Sequence, residues 1–333
     1  MYNKITPFLF LVFILFASCT PPNYDEILLA PVKIGDQWGY IDKNGKIAIN
    51  PQFEDARWFQ EGLAQIQLGS KWGYIDKTGK IVINPQFEGA WWFEEGLAQI
   101  KIGSKYGYID KNGKIAINPQ FEGAWSFQEG LAGIKLGGKW GYIDKNGNIA
   151  IKPQFEDARW FQEGLAPIQL GGKCGYIDKT GKIAINPQFE QAFPFKEGLA
   201  GIKLGGKWGY IDKNGNIAIK PQFVEDARWF QEGLAVIQLG GKWGYIDKNG
   251  NIAISPQFEE ARDFQEGLAP VKLGNQWGFI DKNGKIAINP QFEEALWFQE
   301  GLAPIKLGGK WGYIDKNGKI AINPQFEEAG DFN

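Results

Sequence analysis

Leu63-Ala64-Gln65-Ile66-Gln67-Leu68-Gly69-Ser70-Lys71-Trp72-Gly73-Tyr74-Ile75-Asp76-Lys77-Thr78-Gly79-Lys80-Ile81-Val82-Ile83-Asn84-Pro85 decides the fold class. Apolar and polar residues alternate over 63–68, the period of a strand. This points Ala64, Ile66 and Leu68 at a core and Gln65 and Gln67 at water. Gly69-Ser70-Lys71 makes a turn, and residues 72–76 a second strand. Lys77-Thr78-Gly79-Lys80 is a hairpin turn, where most copies carry Asn-Gly, a pair that accepts positive φ. Ile81-Val82-Ile83 is a third strand, which Pro85 ends because proline donates no ladder hydrogen bond. The unit is a three-stranded antiparallel meander.

The unit recurs. Copies begin at Trp38, Trp72, Tyr106, Trp140, Cys174, Trp208, Trp243, Trp277 and Trp311, every 34 residues apart from one step of 35 that contains the inserted Val224. A period of this size marks an array whose units are too small to hold a core alone and must stack. The connections carry Phe53, Ala56 and Phe59, then Phe87, Ala90 and Phe93, which are expected to plug the gaps between consecutive units. Both ends of the array read as whole meanders. The expected architecture is therefore an all-β, open, curved, solenoid-like stack of nine three-stranded meanders. The alternative is a closed propeller-like ring, and nine copies exceed the usual four to eight blades.

The chain has 333 residues, 44% apolar and 22% charged, the composition of a globular protein. Its 36 basic and 38 acidic residues are interspersed and give a net charge of −2, which argues against a nucleic-acid partner. Residues 1–18 lie outside the repeat. Lys4, the apolar stretch from Phe8 to Ala17 and the small residues Ala17 and Ser18 form a secretory signal pattern, too short to span a bilayer. Phe16-Ala17-Ser18-Cys19 resembles a bacterial lipobox, with Phe16 in place of the usual Leu. That resemblance implies lipidation of Cys19 and attachment to the cell envelope by acyl chains alone. Thr20 follows Cys19 where the resemblance links Asp to inner-membrane retention, so the resemblance implies the outer membrane. The expected division is signal peptide 1–18, lipidated Cys and tether 19–27, and repeat array 28–333.

The run Lys139-Trp140-Gly141-Tyr142-Ile143-Asp144-Lys145-Asn146-Gly147, followed by Pro153-Gln154-Phe155, resembles the bacterial WG repeat. The match covers about residues 28–332, with departures at Tyr106, Cys174, Phe279 and Val224. The resemblance implies an all-β repeat in secreted or envelope proteins and no common ligand or activity.

Among nearly identical copies, the columns that differ are the candidates for work. The first reads Arg57, Trp91, Trp125, Arg159, Phe193, Arg228, Arg262, Leu296, Gly330. The second reads Trp58, Trp92, Ser126, Trp160, Pro194, Trp229, Asp263, Trp297, Asp331. A third runs Pro31, Gln65, Gln99, Gly133, Pro167, Gly201, Val236, Pro270, Pro304. Arg and Trp are enriched at binding hot spots, and flat rings suit sugar faces. The alternative is that these aromatics cap the connections against the next meander. Arg57, Trp58, Trp91, Trp92, Trp125, Arg159, Trp160, Arg228, Trp229, Arg262 and Trp297 are therefore the candidate ligand-binding stripe. The Trp of each Trp-Gly pair shares a strand face with Tyr two residues on and reads as core. The neighbouring Gly implies a close backbone approach or a bulge. Cys174, in a Trp slot, reads as a small apolar substitute.

Catalysis finds little material. The chain has no His for a triad or a metal site. No serine sits in a nucleophile elbow and no Gly-rich loop has P-loop spacing. Asp42-Lys43-Asn44-Gly45 offers too few oxygens for calcium and reads as a turn. Pairs such as Glu259-Glu260 leave a glycan-active enzyme as a remote third reading. The expectation is a non-enzymatic scaffold for an envelope protein or a glycan, with neither cofactor nor metal. A structural spacer without a ligand is the alternative.

Overall fold

The computed structural model describes residues 27–223 and 226–333. The chain begins with β1 (Ala30–Ile34), β2 (Gln37–Ile41) and β3 (Ile47–Phe53), and the next repeat supplies β4 (Asp55–Ala56), β5 (Leu63–Leu68), β6 (Lys71–Asp76) and β7 (Ile81–Phe87). Strands β4 to β7 hydrogen-bond in chain order as one four-stranded antiparallel sheet. Seven further sheets repeat this plan. The connection expected to be irregular is thus a fourth strand, and each blade has four strands, here called A to D.

The ninth sheet corrects the expectation of an open stack. Its order is β3-β2-β1-β36, where β36 (Glu328–Ala329) is the last strand of the chain. Val32 pairs with Ala329 and Lys33 with Glu328, and Leu29 and Asn333 exchange backbone hydrogen bonds at 3.2 Å. The C-terminal segment therefore serves as strand A of the first blade. The molecule is a closed ring of nine blades, a β-propeller. Closure removes the two raw sheet faces that an open stack would leave to water.

The same contact recurs at every junction. The Tyr of strand C, or Phe279 in one copy, packs on the Phe that follows the next strand A or lies within it, with ring centroids 4.9–5.0 Å apart, from Tyr40–Phe59 round to Tyr313–Phe332 across the seam. These Tyr and Phe residues are buried with Ala64, Ile66 and their equivalents. The connection residues thus fill the gaps as expected. Each blade is sandwiched, so both faces of strand B are covered. Gln65 is 1% exposed for this reason, although alternation alone placed it in water.

Each core tyrosine also donates its phenolic hydrogen to a backbone carbonyl in the next blade, as Tyr74 does to Trp91 O at 2.7 Å. Phe279 occupies the one copy without a hydroxyl, and the Leu296 carbonyl lacks this donor. Phe279→Tyr is expected to add the missing bond and raise stability by about 0.5–1.5 kcal/mol, read by urea or thermal unfolding.

Pro85 does not end strand D. Trp72 pairs with Phe87 and Tyr74 with Ile83, so Asn84, Pro85 and Gln86 bulge opposite Gly73 alone. Strand D is a blade edge, where a missing N–H is tolerated.

The two ends of the ring differ. At one end the A–B turns place Glu61 at φ 51° and Gly62 at φ 85°, a type I′ pattern with glutamate where asparagine is usual. The strained glutamate links neighbours: Gly96 N–H donates to Glu61 Oε2 at 3.1 Å, and Lys111 Nζ lies 3.1 Å from the same oxygen. Lys145–Glu95 and Lys179–Glu129 repeat the link onward round the ring. These pairs are partly exposed and each contributes little. The Asp-Lys-Asn-Gly segments are turns, with Asp42 Oδ1 accepting from Asn44 and Lys46 N–H at 2.9 Å. At the opposite end the Glu54 carboxylate accepts from Gly69 and Ser70 N–H at 2.8 and 3.0 Å, tying each connection to a B–C turn.

Candidate functional site

Side chains of neighbouring A strands touch directly: Trp58 stacks on Trp92 at 4.9 Å, and Gln128 Nε2 donates to Glu94 Oε1 at 2.8 Å. The A strands therefore converge on the ring axis. In the third blade, β8 (Gly89–Glu94) pairs Ala90 with Ile100 and Phe93 with Ala98, so Trp91 and Trp92 together oppose Gln99. In the seventh blade, β24 (Asp226–Gln231) sets Arg228 and Trp229 against Val236 in the same way. The three variable columns are one feature, a bulge on the inner edge of each blade. An extra bulged residue turns side chains out of the ladder, and such bulges gather at sites.

The bulge residues are neither a bare stripe nor a buried cap. First-column side chains lie over the Trp-Gly aromatic of their own blade. Arg57, which is exposed, sits 5.7 Å from the Trp72 ring and pairs with Asp55 at 3.0 Å. Trp91 packs on Tyr106 at 5.7 Å, and Trp125 stacks on Trp140 at 5.6 Å. Arg228 lies 4.6 Å from the Trp243 ring. Arg262 lies 4.7 Å from the ring of Trp277 and 5.3 Å from that of Trp297, with Glu294 at 2.6 Å. Arg159 has Cys174 in place of a Trp and approaches Phe193 at 5.9 Å. A cavity of about 280 Å³ lies against Cys174, Arg159 and Phe193. Cys174 is half-buried rather than a core residue.

The second column is half-buried at Trp58, Trp92, Trp160, Trp229 and Trp297. Trp125 of the first column is 36% exposed, with its indole N–H on Ala158 O at 2.9 Å and its ring edge-on to Trp160 at 6.0 Å. The reading of every Trp-Gly tryptophan as core is corrected as well. Trp208 and Trp277 are buried, at 5% and 2% exposure, while Trp38, Trp72, Trp140, Trp243 and Trp311 are half-buried. Several of these wall cavities beside the bulges. One of about 430 Å³ lies between Trp38, Trp58, Trp297 and Trp311, and two of about 580 Å³ follow round the ring on either side of Trp91 and Trp92. Cys19 lies outside the described residues.

Columns one and three are also coupled. A Cβ on Gly133 would come 2.7 Å from Trp125, and one on Gly201 3.1 Å from Phe193. The small residues in the third column make room for large rings in the first, so part of the variation is packing.

Two second-column acids complete the bulge ring. Asp263 and Asp331 each have a buried Oδ1 without a hydrogen-bond partner. Burial raises both pKa values, against the pull of Arg228 on Asp263 and of Arg262 on Asp331; that of Asp331 reaches about 6. The folded state then holds the Asp331 proton more tightly than the unfolded chain. Its contribution is most favourable below the unfolded pKa and is lost as pH rises through about 6. Asp331→Asn is expected to be more stable than the parent at pH 7–8 by up to about 3 kcal/mol. The gap should shrink as pH falls from about 6 to 4, which paired unfolding curves across pH would read.

The closed ring of four-stranded blades with side chains converging on its axis is a nine-bladed β-propeller. The family model for the WG containing repeat matches residues 38–72, 72–106, 106–140, 140–174, 175–208, 208–243, 243–277, 277–311 and 311–333. The chain belongs to that family. No curated protein matches it in sequence. Among solved structures, a eukaryotic initiation factor is similar at 10% identity and a TM-score of 0.67, over 91% of this chain and 98% of that one. The dihydro-heme d1 dehydrogenase NirN, in complex with DHE, is similar at 11% identity and a TM-score of 0.52, over 92% of this chain and 74% of that one. At such identities the likeness shows the fold alone.

Proposed function

We propose that the chain is a non-enzymatic envelope lipoprotein whose propeller binds a protein or a glycan through the inner-edge bulges. The observation that carries this reading is where the copies differ. Nine nearly identical blades diverge most at the bulge, and the aromatics there wall a run of open cavities. Residues at a fixed architectural position that vary in chemistry, with Trp and Arg prominent, match the make-up of binding hot spots.

The anchor reading fits the ring's polarity. The chain enters β1 beside Asn333, at the A–B turn end, whereas Glu88, Lys101 and Glu328 bring two of the cavities toward the B–C turn end; the third also reaches Glu94 and Gln128 beside the A–B turns. A lipid on Cys19 followed by a short tether would leave the B–C turn end facing away from the membrane. Cys19→Ala is expected to move the protein from the membrane to the soluble fraction, and retention in the membrane would defeat the anchor.

The binding reading is tested by converting Trp58, Trp92, Trp125 and Trp160 to Ala. The variant should keep its fold by circular dichroism and lose ligands found in a screen of glycans and envelope proteins. Unchanged binding would remove the bulges from the site. A structural spacer is the second reading. It draws support from bulge side chains committed to internal contacts, as Arg262 is between two tryptophans. A parent protein that retains nothing in the same screen would favour it.

A further inference from the structure

Gln65 and Gln99 are the buried polar side chains of the described residues, at 1% and 5% exposure. Both stand in the third column, where other blades carry Pro, Gly or Val. Gln65 lines the cavity between the second and third blades and Gln99 the one between the third and fourth, each about 580 Å³. The Gln65 amide nitrogen is buried and has no hydrogen-bond partner. A buried carboxamide left unbonded costs stability, and packing alone would be served by the Val or Pro of other copies. The two cavities share Trp91, Trp92 and Tyr106.

A second departure clears the same space. The first residue of strand A is Asp, Glu or Gln in the other blades and glycine at 89 and 123. A Cβ at Gly89 would lie 2.9 Å from the Trp91 ring, and one at Gly123 3.2 Å from that of Trp140. These substitutions let aromatic walls close round the cavity at the third and fourth blades. The lining of the cavity between the third and fourth blades holds no cation, and its one acid, Glu94, is bonded to Gln128; the cavity between the second and third blades carries Arg57, Lys101 and Glu88 beside its aromatic walls. Flat apolar walls with the Gln65 and Gln99 amides and the Ser126 hydroxyl match the C–H faces and hydroxyl rim of a sugar ring. A carboxamide offers both a donor and an acceptor to adjacent hydroxyls.

We propose that these paired cavities form a saccharide-binding cleft for an uncharged oligosaccharide. One pyranose ring sits against Trp125 and Trp140 with Gln99 bonding its hydroxyls, and the next sits against Trp72 and Trp92 with Gln65 in the same role. This rests on the binding reading above and names its ligand class.

The test titrates the full chain in detergent with cellotetraose, tetra-N-acetylchitotetraose, their monosaccharides and a Trp/Pro-rich decapeptide, following tryptophan fluorescence and heat. One tetrasaccharide is expected to bind at least about tenfold more tightly than its monosaccharide, because two subsites act together. Gln65→Val with Gln99→Val should weaken it by at least about tenfold while leaving thermal unfolding intact, since Val236 already occupies this position in the seventh blade. Absence of saccharide binding up to about 10 mM, weaker than any specific site warrants, overturns the proposal. So does tetrasaccharide binding that the double variant leaves unchanged. Binding of the decapeptide alone, lost in the four-Trp variant, would sink the saccharide cleft and leave the broader binding reading standing.

Discussion

Deleting residues 327–333 is expected to open the ring. The segment supplies strand A of the first blade, and with it the Val32–Ala329 and Lys33–Glu328 pairs. It also supplies four flanking backbone bonds: Glu327 N to Lys33 O, Gly330 N to Pro31 O, and the Leu29–Asn333 exchange. Phe332, 1% exposed, completes the last of the nine aromatic junction contacts. Losing a buried Phe alone costs about 3–5 kcal/mol. The hydrogen bonds add about 1 kcal/mol each. The truncated chain also leaves the edge of β1 unpaired and the faces of the first and ninth blades in water. A drop in unfolding free energy of more than about 5 kcal/mol is expected, a large part of what holds an ordinary domain together. Small-angle scattering should show a larger radius of gyration, and the exposed edge should promote association. A truncated protein with the parent's dimensions and melting temperature would refute closure by the C-terminal strand. Phe332→Ala, which keeps the backbone pairing, separates the two contributions.

The second large effect lies at the glycine of Trp-Gly. A Cβ on Gly141 would come 2.5 Å from Ile151 O and 2.6 Å from Pro153 N, both backbone atoms of the strand D bulge. Neither can give way as a flexible side chain could. Alanine in a strand normally gains about 0.5–1 kcal/mol over glycine. Here the blade edge must move, and Gly141→Ala is expected to destabilise by about 3 kcal/mol or more. Gly137→Ala is the control. Its site has open space and a φ of +59°, so the substitution costs about 1–2 kcal/mol from backbone conformation alone. Equal losses in the two variants, read by denaturant unfolding, would show that close approach is not what selects the glycine.

The propeller was partly written in the repeats. Strands B, C and D follow from the alternation over 63–68 and the turn residues beside it, because local periodicity and turn chemistry act within a few residues. The fourth strand was less legible, since most A strands are two residues long and carry no alternation. Ring closure was hidden for the same reason: both ends look like whole meanders when only three strands are counted. Gln65 was misplaced for a related reason: alternation assumes one wet face, and a sandwiched blade has none.

The variable columns were likewise visible as columns, but their kinship was not. Arg57, Trp58 and Gln65 belong to one bulge because the register slips by one residue between the Ala56–Ile66 and Gln60–Leu63 pairs, a property that spacing along the chain does not encode. The sequence by itself determined the repeat and three of its four strands, its turns, its close-approach glycines and the family, since these depend on neighbours a few residues apart. Only the tertiary structure decided that nine units close, that the C-terminal strand completes the first blade, and that the differing residues meet at the inner edge around shared cavities. Those outcomes depend on the angle between stacked blades and on contacts nearly three hundred residues apart, and no local pattern carries either.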